Sequence, residues 1–200
     1  DVTPETASVT TSSGSTVINA DHVSVTAEDN SVIFADAAAA SVALSFGFVG
    51  ASISIGVSLA YNSVDSDVQA YIQESVTTAS LADDGIESAV LISATSDASI
   101  KANSIAASAA LGFGAVGIGI AGAGAQAENV IRGSTLAHAT EAQLNATLGS
   151  VSILADNRSD IEARIIGAAV GAGVGAAGVG AAIGVSLARN WIGHAIDEGV

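Results

Sequence analysis

A tandem repeat constrains this chain more than any other feature. Val23-Ser24-Val25-Thr26-Ala27 recurs as Val90-Leu91-Ile92-Ser93-Ala94 and again as Val151-Ser152-Ile153-Leu154-Ala155. The starts lie 67 and then 61 residues apart. At those offsets the chain stays in line without a gap: Ala35 meets Ala102 and Ala163, Gly47 meets Gly114 and Gly175, Gly50 meets Gly117 and Gly178, and Asn62 meets Asn129 and Asn190. A period of this length marks one supersecondary unit that buries its faces against copies of itself. The expected organisation is one continuous body: residues 1–22 as the tail of a preceding unit, then units at 23–89, 90–150 and 151–200, the third incomplete. The first boundary rests on Ser8-Val9-Thr10-Thr11, which matches Ser75-Val76-Thr77-Thr78 at the same offset of 67. Together with the unfinished third tail, this reads as a fragment of a longer array.

Each unit contains a long stretch without charge, at residues 37–64, 102–127 and 165–188. By length alone each could cross a membrane as a helix. In the first, however, Val42, Leu44, Phe46 and Phe48 alternate with small residues, and Ile53, Ile55, Val57, Leu59 and Tyr61 alternate with the opposite parity. Alternation of period two is a strand signal. The parity changes at one aligned place in every unit: between Gly47 and Gly50, between Gly114 and Gly117, and between Gly175 and Gly178. Because glycine accepts positive φ, this predicts two long strands joined at a G-x-x-G turn. The third unit, with Gly171, Gly175 and Gly180 among Val170, Val174 and Ile183, also fits a glycine-zipper helix. Its sister units favour strands throughout. The predicted fold is therefore all-β: a tandem-repeat, β-solenoid-like or layered rod with long Gly/Ala/Val-rich strands. Small residues on one strand face would let a second sheet pack close.

Composition narrows the function classes. Half the chain is apolar but only 4% is aromatic, and 22 residues are glycine, which suits thin layers rather than a bulky core. A net charge of −15 disfavours nucleic acid, whose phosphates require basic neutralisation, and anionic lipid surfaces. With no cysteine there are no disulfides or thiolate metal sites.

The Gly/Ala-alternating run ending in Val57-Ser58-Leu59-Ala60-Tyr61-Asn62, followed by Val68-Gln69-Ala70-Tyr71-Ile72 and Ser75-Val76-Thr77-Thr78, resembles the repeats of large bacterial filamentous exoproteins, in particular leukotoxin-type filamentous adhesins. Ala125-Gln126-Ala127-Glu128-Asn129 and Val185-Ser186-Leu187-Ala188-Arg189-Asn190 vary the same pattern in the later units. The resemblance implies a very long, β-rich, secreted or surface-anchored protein of adhesion or matrix. It brings no catalytic residues with it.

The candidate chemistry is correspondingly sparse. Asn62, Asn129 and Asn190 would stack as an amide ladder if the units pile up. The carboxylates Glu28, Asp29, Asp36, Asp65, Asp67, Asp83, Asp84, Glu87, Asp156 and Asp160 could offer oxygens to calcium, but they fail to align between units and form no EF-hand loop. His22, His138 and His194 lack zinc spacing, and neither a catalytic triad order nor a nucleophile elbow is present. The G-x-x-G pairs lack the lysine of a phosphate loop. Asn145-Ala146-Thr147 and Asn157-Arg158-Ser159 are formal glycosylation sequons, and Trp191 is the one tryptophan.

The expectation is a non-enzymatic structural segment of an extracellular or cell-surface filamentous adhesin, stalk or matrix protein. Its partners would be neighbouring repeats and further copies of itself, with no nucleic acid, no membrane and no cofactor. One alternative is a membrane-active protein whose apolar stretches insert as helices. Another is a calcium- or polysaccharide-binding β-helical module.

Overall fold

The computed structural model describes residues 8–12, 15–80 and 88–193. Thirteen strands run in chain order: β1 (Ser8–Ser12), β2 (Ser15–Ala20), β3 (Val23–Asp29), β4 (Val32–Phe46), β5 (Val49–Gln73), β6 (Ser75–Ser80), β7 (Ser88–Ser96), β8 (Ser99–Phe113), β9 (Val116–Thr140), β10 (Gln143–Leu148), β11 (Ser150–Asn157), β12 (Asp160–Val174) and β13 (Ala177–Ile192). The fold is an all-β, tandem-repeat solenoid. Strands β2 to β5, β6 to β9 and β10 to β13 make three successive coils, and equivalent strands pair in parallel across the coils to give four ladders. Among the described residues there is no helix, and no helix long and apolar enough to cross a membrane. The helical alternative for the glycine-rich third unit is thus overturned: Gly171, Gly175 and Gly180 belong to the arch of β12 and β13.

The repeat offsets are the register of the ladders. Val32, Ser99 and Asp160 are neighbours, as are Val49, Val116 and Ala177, and pairing continues unbroken from Val49↔Val116 to Gln73↔Thr140. The polar residues that follow the charge-free stretch 37–64 continue the same 25-residue strand, Val49–Gln73. The chain passes from one coil to the next at Glu74 and Glu141, which occupy equivalent places and adopt left-handed φ of 48° and 52°. A left-handed residue costs a non-glycine side chain about 1 kcal/mol or more, so the junction is held by its surroundings. Glu74 N–H, for one, donates to the Thr140 carbonyl at 3.1 Å.

The N-terminal end departs from the expected repeat. Ser75 pairs with Thr16 and Val76 with Val17, so β2 rather than Ser8-Val9-Thr10-Thr11 takes the place equivalent to β6. Strand β1 instead lies antiparallel to β2, from Ser8↔Asn19 to Ser12↔Ser15. The match at offset 67 reflects similar strand composition, not equivalent position.

Each coil has a thick end and a thin blade. In the thick end, the second half of β5 packs on β7, where Val68, Ala70 and Ile72 meet Val90, Ile92 and Ala94 in an apolar cluster. In the blade, the β4–β8–β12 sheet lies against the first half of the β5–β9–β13 sheet. Its interior is filled by small side chains: Ala35, Ala39, Ser41 and Ala43 from β4, and Gly50, Ser54, Gly56 and Ser58 from β5. The serines bond across the gap, Ser41 Oγ to Ser54 Oγ at 2.7 Å and Ser104 Oγ to Ser58 Oγ at 2.9 Å. These contacts compensate hydroxyls that would otherwise be buried unpaired.

Candidate functional site

The blade turns at its tip between β4 and β5, where Gly47-Phe48, Gly114-Ala115 and Gly175-Ala176 stack on one another. Their backbones carry the ladder around the bend: Gly47 N–H donates to Phe113 O at 3.1 Å, Val116 N–H to Phe48 O at 3.1 Å, and Ala177 N–H to Ala115 O at 3.0 Å. The second glycine of each G-x-x-G pair has another role than the one expected from positive φ. Gly50, Gly117 and Gly178 lie inside strands β5, β9 and β13 and face the blade interior. A Cβ on Gly50 would fall well inside contact distance of the Phe113 carbonyl oxygen, and Gly117 and Gly178 are as closely met by backbone. Glycine is needed there for close approach of two sheets, not for a left-handed backbone.

The three asparagines form a ladder at the boundary between blade and thick end. Asn62 Nδ2 donates to Asn129 Oδ1 at 2.7 Å, and Asn129 Nδ2 donates to Asn190 Oδ1 at 2.8 Å. Asn129 is fully buried. The geometry leaves its amide committed to its neighbours.

The carboxylates spread along the corners and the outer faces. Asp29 closes the β3–β4 corner: its Oδ1 accepts from Ser31 N–H at 3.2 Å and from Ser31 Oγ–H at 2.5 Å. The hydrogen bond from the Ser31 hydroxyl, with a second from Ser66, holds the Asp29 carboxyl below its ordinary value of 3.8 despite partial desolvation. Asp36 accepts from Asn103 at 2.7 Å, Asp67 from the Ser134 hydroxyl at 2.7 Å, and Asp65 lies beside Arg132 in the ladder. Asp156 pairs with Arg158, raising the guanidinium pKa through hydrogen bonding and charge. This explains why the aspartates fail to align in sequence. Stacked coils put equivalent residues about 4.8 Å apart, where like charges repel and a donor or cation is favoured. Among the described residues no three carboxylates or histidines converge on a metal-sized site. Asp83, Asp84, Glu87 and His194 lie outside the described residues.

The remaining singled-out residues sit apart. His22 Nδ1 bonds the Ser88 carbonyl at 2.9 Å, while His138 stacks on Tyr71 with ring centroids 5.3 Å apart. Asn145 reaches Thr78 and Asn157 reaches Thr135, each at 3.4 Å. Trp191 stands beside Val130 in the β9–β13 ladder, half exposed.

What sequence reasoning missed is the polarity of the blade. The large apolar side chains of the alternating runs point outward. Phe48 at the tip is 82% exposed, and in the middle coil, covered on both sides by its neighbours, Ile120 is still 45% exposed and Ile105 41%. Phe46 and Phe113 stack on the outer face, centroids 5.0 Å apart. Two apolar faces therefore clothe a core of Gly, Ala and Ser. The sequence shows that every large residue of 42–61 shares one parity on each side of the turn, but not which face lies outside. Compared with known protein families, curated proteins and solved structures, the chain gives no match in any of the three.

Proposed function

We propose that this chain is a non-enzymatic structural segment of a long secreted or cell-surface filament, adhesin or matrix protein, and that its partners are further coils and further copies of its own kind. The observation that carries this reading is the unbroken parallel register of β5, β9 and β13, extended by the amide ladder and the stacked tips. From Ser99 to Phe113 and from Val116 to Ile131 the middle coil's long strands pair with a neighbouring coil on both sides, so adding coils lengthens the body without changing its section. The rise is about 4.8 Å per coil. Stiffness then follows from chemistry spread over the whole section rather than from any one site. The resemblance of the 57–78 pattern to filamentous adhesin repeats supports the same reading and the extracellular location.

Immunogold labelling of intact cells of the source organism, with antibody raised against the folded chain, tests it. Label along surface fibres is the expected result. Label that requires permeabilised cells, or that stays with compact intracellular particles, would overturn the proposal.

A further inference from the structure

The solenoid has two open edges. The sheets β3–β7–β11, β4–β8–β12 and β5–β9–β13 each end in strands whose outward sides, among the described residues, pair with nothing. The backbone gives these edges a direction. Val116 N–H donates to the Phe48 carbonyl, so the amide at that level points from the middle coil toward the first. The equivalent amide of Val49 therefore points away from the body, and with every second residue of the strand so do those of Ile53, Ile55 and Val57. Val57 thus aims its amide into the open edge and its side chain off the outer face.

The two edges differ, and they complement each other. The amide ladder donates in one direction only, so Asn62 Oδ1 is its acceptor end at the first coil and Asn190 Nδ2 its donor end at the third. Charge is divided in the same sense. No Lys or Arg precedes Lys101, whereas Arg158, Arg164 and Arg189 all lie in the third coil. Asp36 and Arg164 stand at one level, each opposite Asn103, and Tyr61 and Arg189 each stand opposite Glu128. The strands themselves match: Ile55-Gly56-Val57-Ser58-Leu59-Ala60 in β5 and Ile183-Gly184-Val185-Ser186-Leu187-Ala188 in β13 are the same sequence at the same levels.

We infer that the third-coil edge of one copy takes the first-coil edge of the next, with β11, β12 and β13 pairing in parallel with β3, β4 and β5 in the register already set between coils. Arg164 then lies beside Asp36, Arg189 beside Tyr61, and Asn190 donates to Asn62. Asp156 comes beside Glu28, each being opposite Thr95, and the Asp156–Arg158 ion pair offsets that like charge. A reversed copy would instead set acceptor against acceptor and acid against acid. Such a contact is heterologous, so it does not close and copies add in line. The fourth sheet is the exception, because β1 covers the outward edge of β2 where a stacked copy brings β10. That cover is five residues long, and the longer ladders displace it. The inference rests on the reading of the chain as a structural stack and names the surfaces by which copies join.

Sedimentation velocity and negative-stain electron microscopy of the whole chain, over a concentration series, test it. Unbranched polymers one solenoid in width are expected. Val57→Pro removes an amide that faces the open edge and keeps the side chain outside, so the fold should stand while association weakens by at least about tenfold. Val57→Ser changes the outer face but not the edge, and should leave association unchanged. Arg164→Glu and Asp36→Arg should each weaken it. Mixing those two variants should restore it, because each edge of one then meets an opposite charge on the other. Monomers at every concentration, closed dimers, polymers indifferent to Val57→Pro, equal loss with Val57→Ser, or no recovery on mixing would each overturn the inference. Cell labelling reads where the parent resides and these measurements read the edge, so either can fail while the other holds.

Discussion

Asn62 donates its side-chain amide to Asn129 at 2.7 Å across 67 residues of chain, and the acceptor is a fully buried side chain. Because Asn129 both accepts from Asn62 and donates to Asn190, its removal orphans two groups at once. A buried unsatisfied polar group costs about 1–3 kcal/mol; here Asn62 is half-buried and Asn190 is exposed and can turn to water. Asn129→Leu should therefore lower stability by about 2 kcal/mol, and Asn62→Ala, at the end of the ladder, by about 1 kcal/mol. Urea denaturation of the two variants compares them; equal losses would mean that the ladder acts as separate residues.

Two glycines of the same sheet should respond oppositely to one methyl group. Gly50→Ala drives a Cβ against the Phe113 carbonyl across the blade, whereas Gly124→Ala points into open space. The first should destabilise by about 3 kcal/mol. The second should be neutral or stabilising by about 0.5 kcal/mol, since it removes freedom from the unfolded chain. Melting temperatures that fall together would show that the blade can widen at little cost.

Asp29 predicts an acid dependence. Its carboxyl is held below its ordinary value, first by the Ser31 hydroxyl. The group therefore contributes stability that is full above the unfolded value of 3.8 and is lost as pH falls through the folded value. Asp29→Asn should be less stable than the parent at pH 7 by about 1 kcal/mol, because the corner is partly open to water. As pH falls below 3.8 and on through the folded value the two should converge, the folded carboxyl then being protonated as well. Denaturation curves across that range decide it; a difference that persists in acid would locate the effect in packing rather than charge.

Cooperation between coils gives a fourth expectation. The middle coil buries its long strands against both neighbours, and Ile92, Ile100 and Asn129 are fully buried only because coils lie on either side. Residues 75–140 expressed alone should give no cooperative melting transition, while the three-coil chain melts cooperatively. Circular dichroism with heating separates the two, and a folded, monomeric single coil would contradict the stacked-core account.

Salt offers a fifth. The repulsion of chains carrying −15 fades as the Debye length shrinks to about 3 Å at 1 M salt. Self-association should therefore strengthen as salt rises. Light scattering that stays at the monomer value up to high concentration and 1 M salt would count against association of any kind.

Sequence alone determined the register and the strands. The offsets of 67 and 61 that align Gly47, Asn62 and their counterparts are those by which β4 pairs with β8 and β8 with β12, because parallel coils place equivalent residues side by side. Period-two alternation from Val42 to Tyr61 told strand from helix for the same reason: side chains of a strand take turns on two faces. Alternation does not say which face is inside. Tertiary structure decided that, and chose Gly, Ala and Ser, because the β4–β8–β12 and β5–β9–β13 sheets must approach closely enough for Gly50 of β5 to lie against the Phe113 carbonyl of β8. It also decided that Ser8 to Ser12 fold back antiparallel rather than pair with β6, and that Glu74 and Glu141 turn the chain in a left-handed conformation. None of these depends on local pattern. Each is set by contacts between residues far apart in the chain, where the fit of two backbones outweighs the hydrophobicity of the side chains left outside.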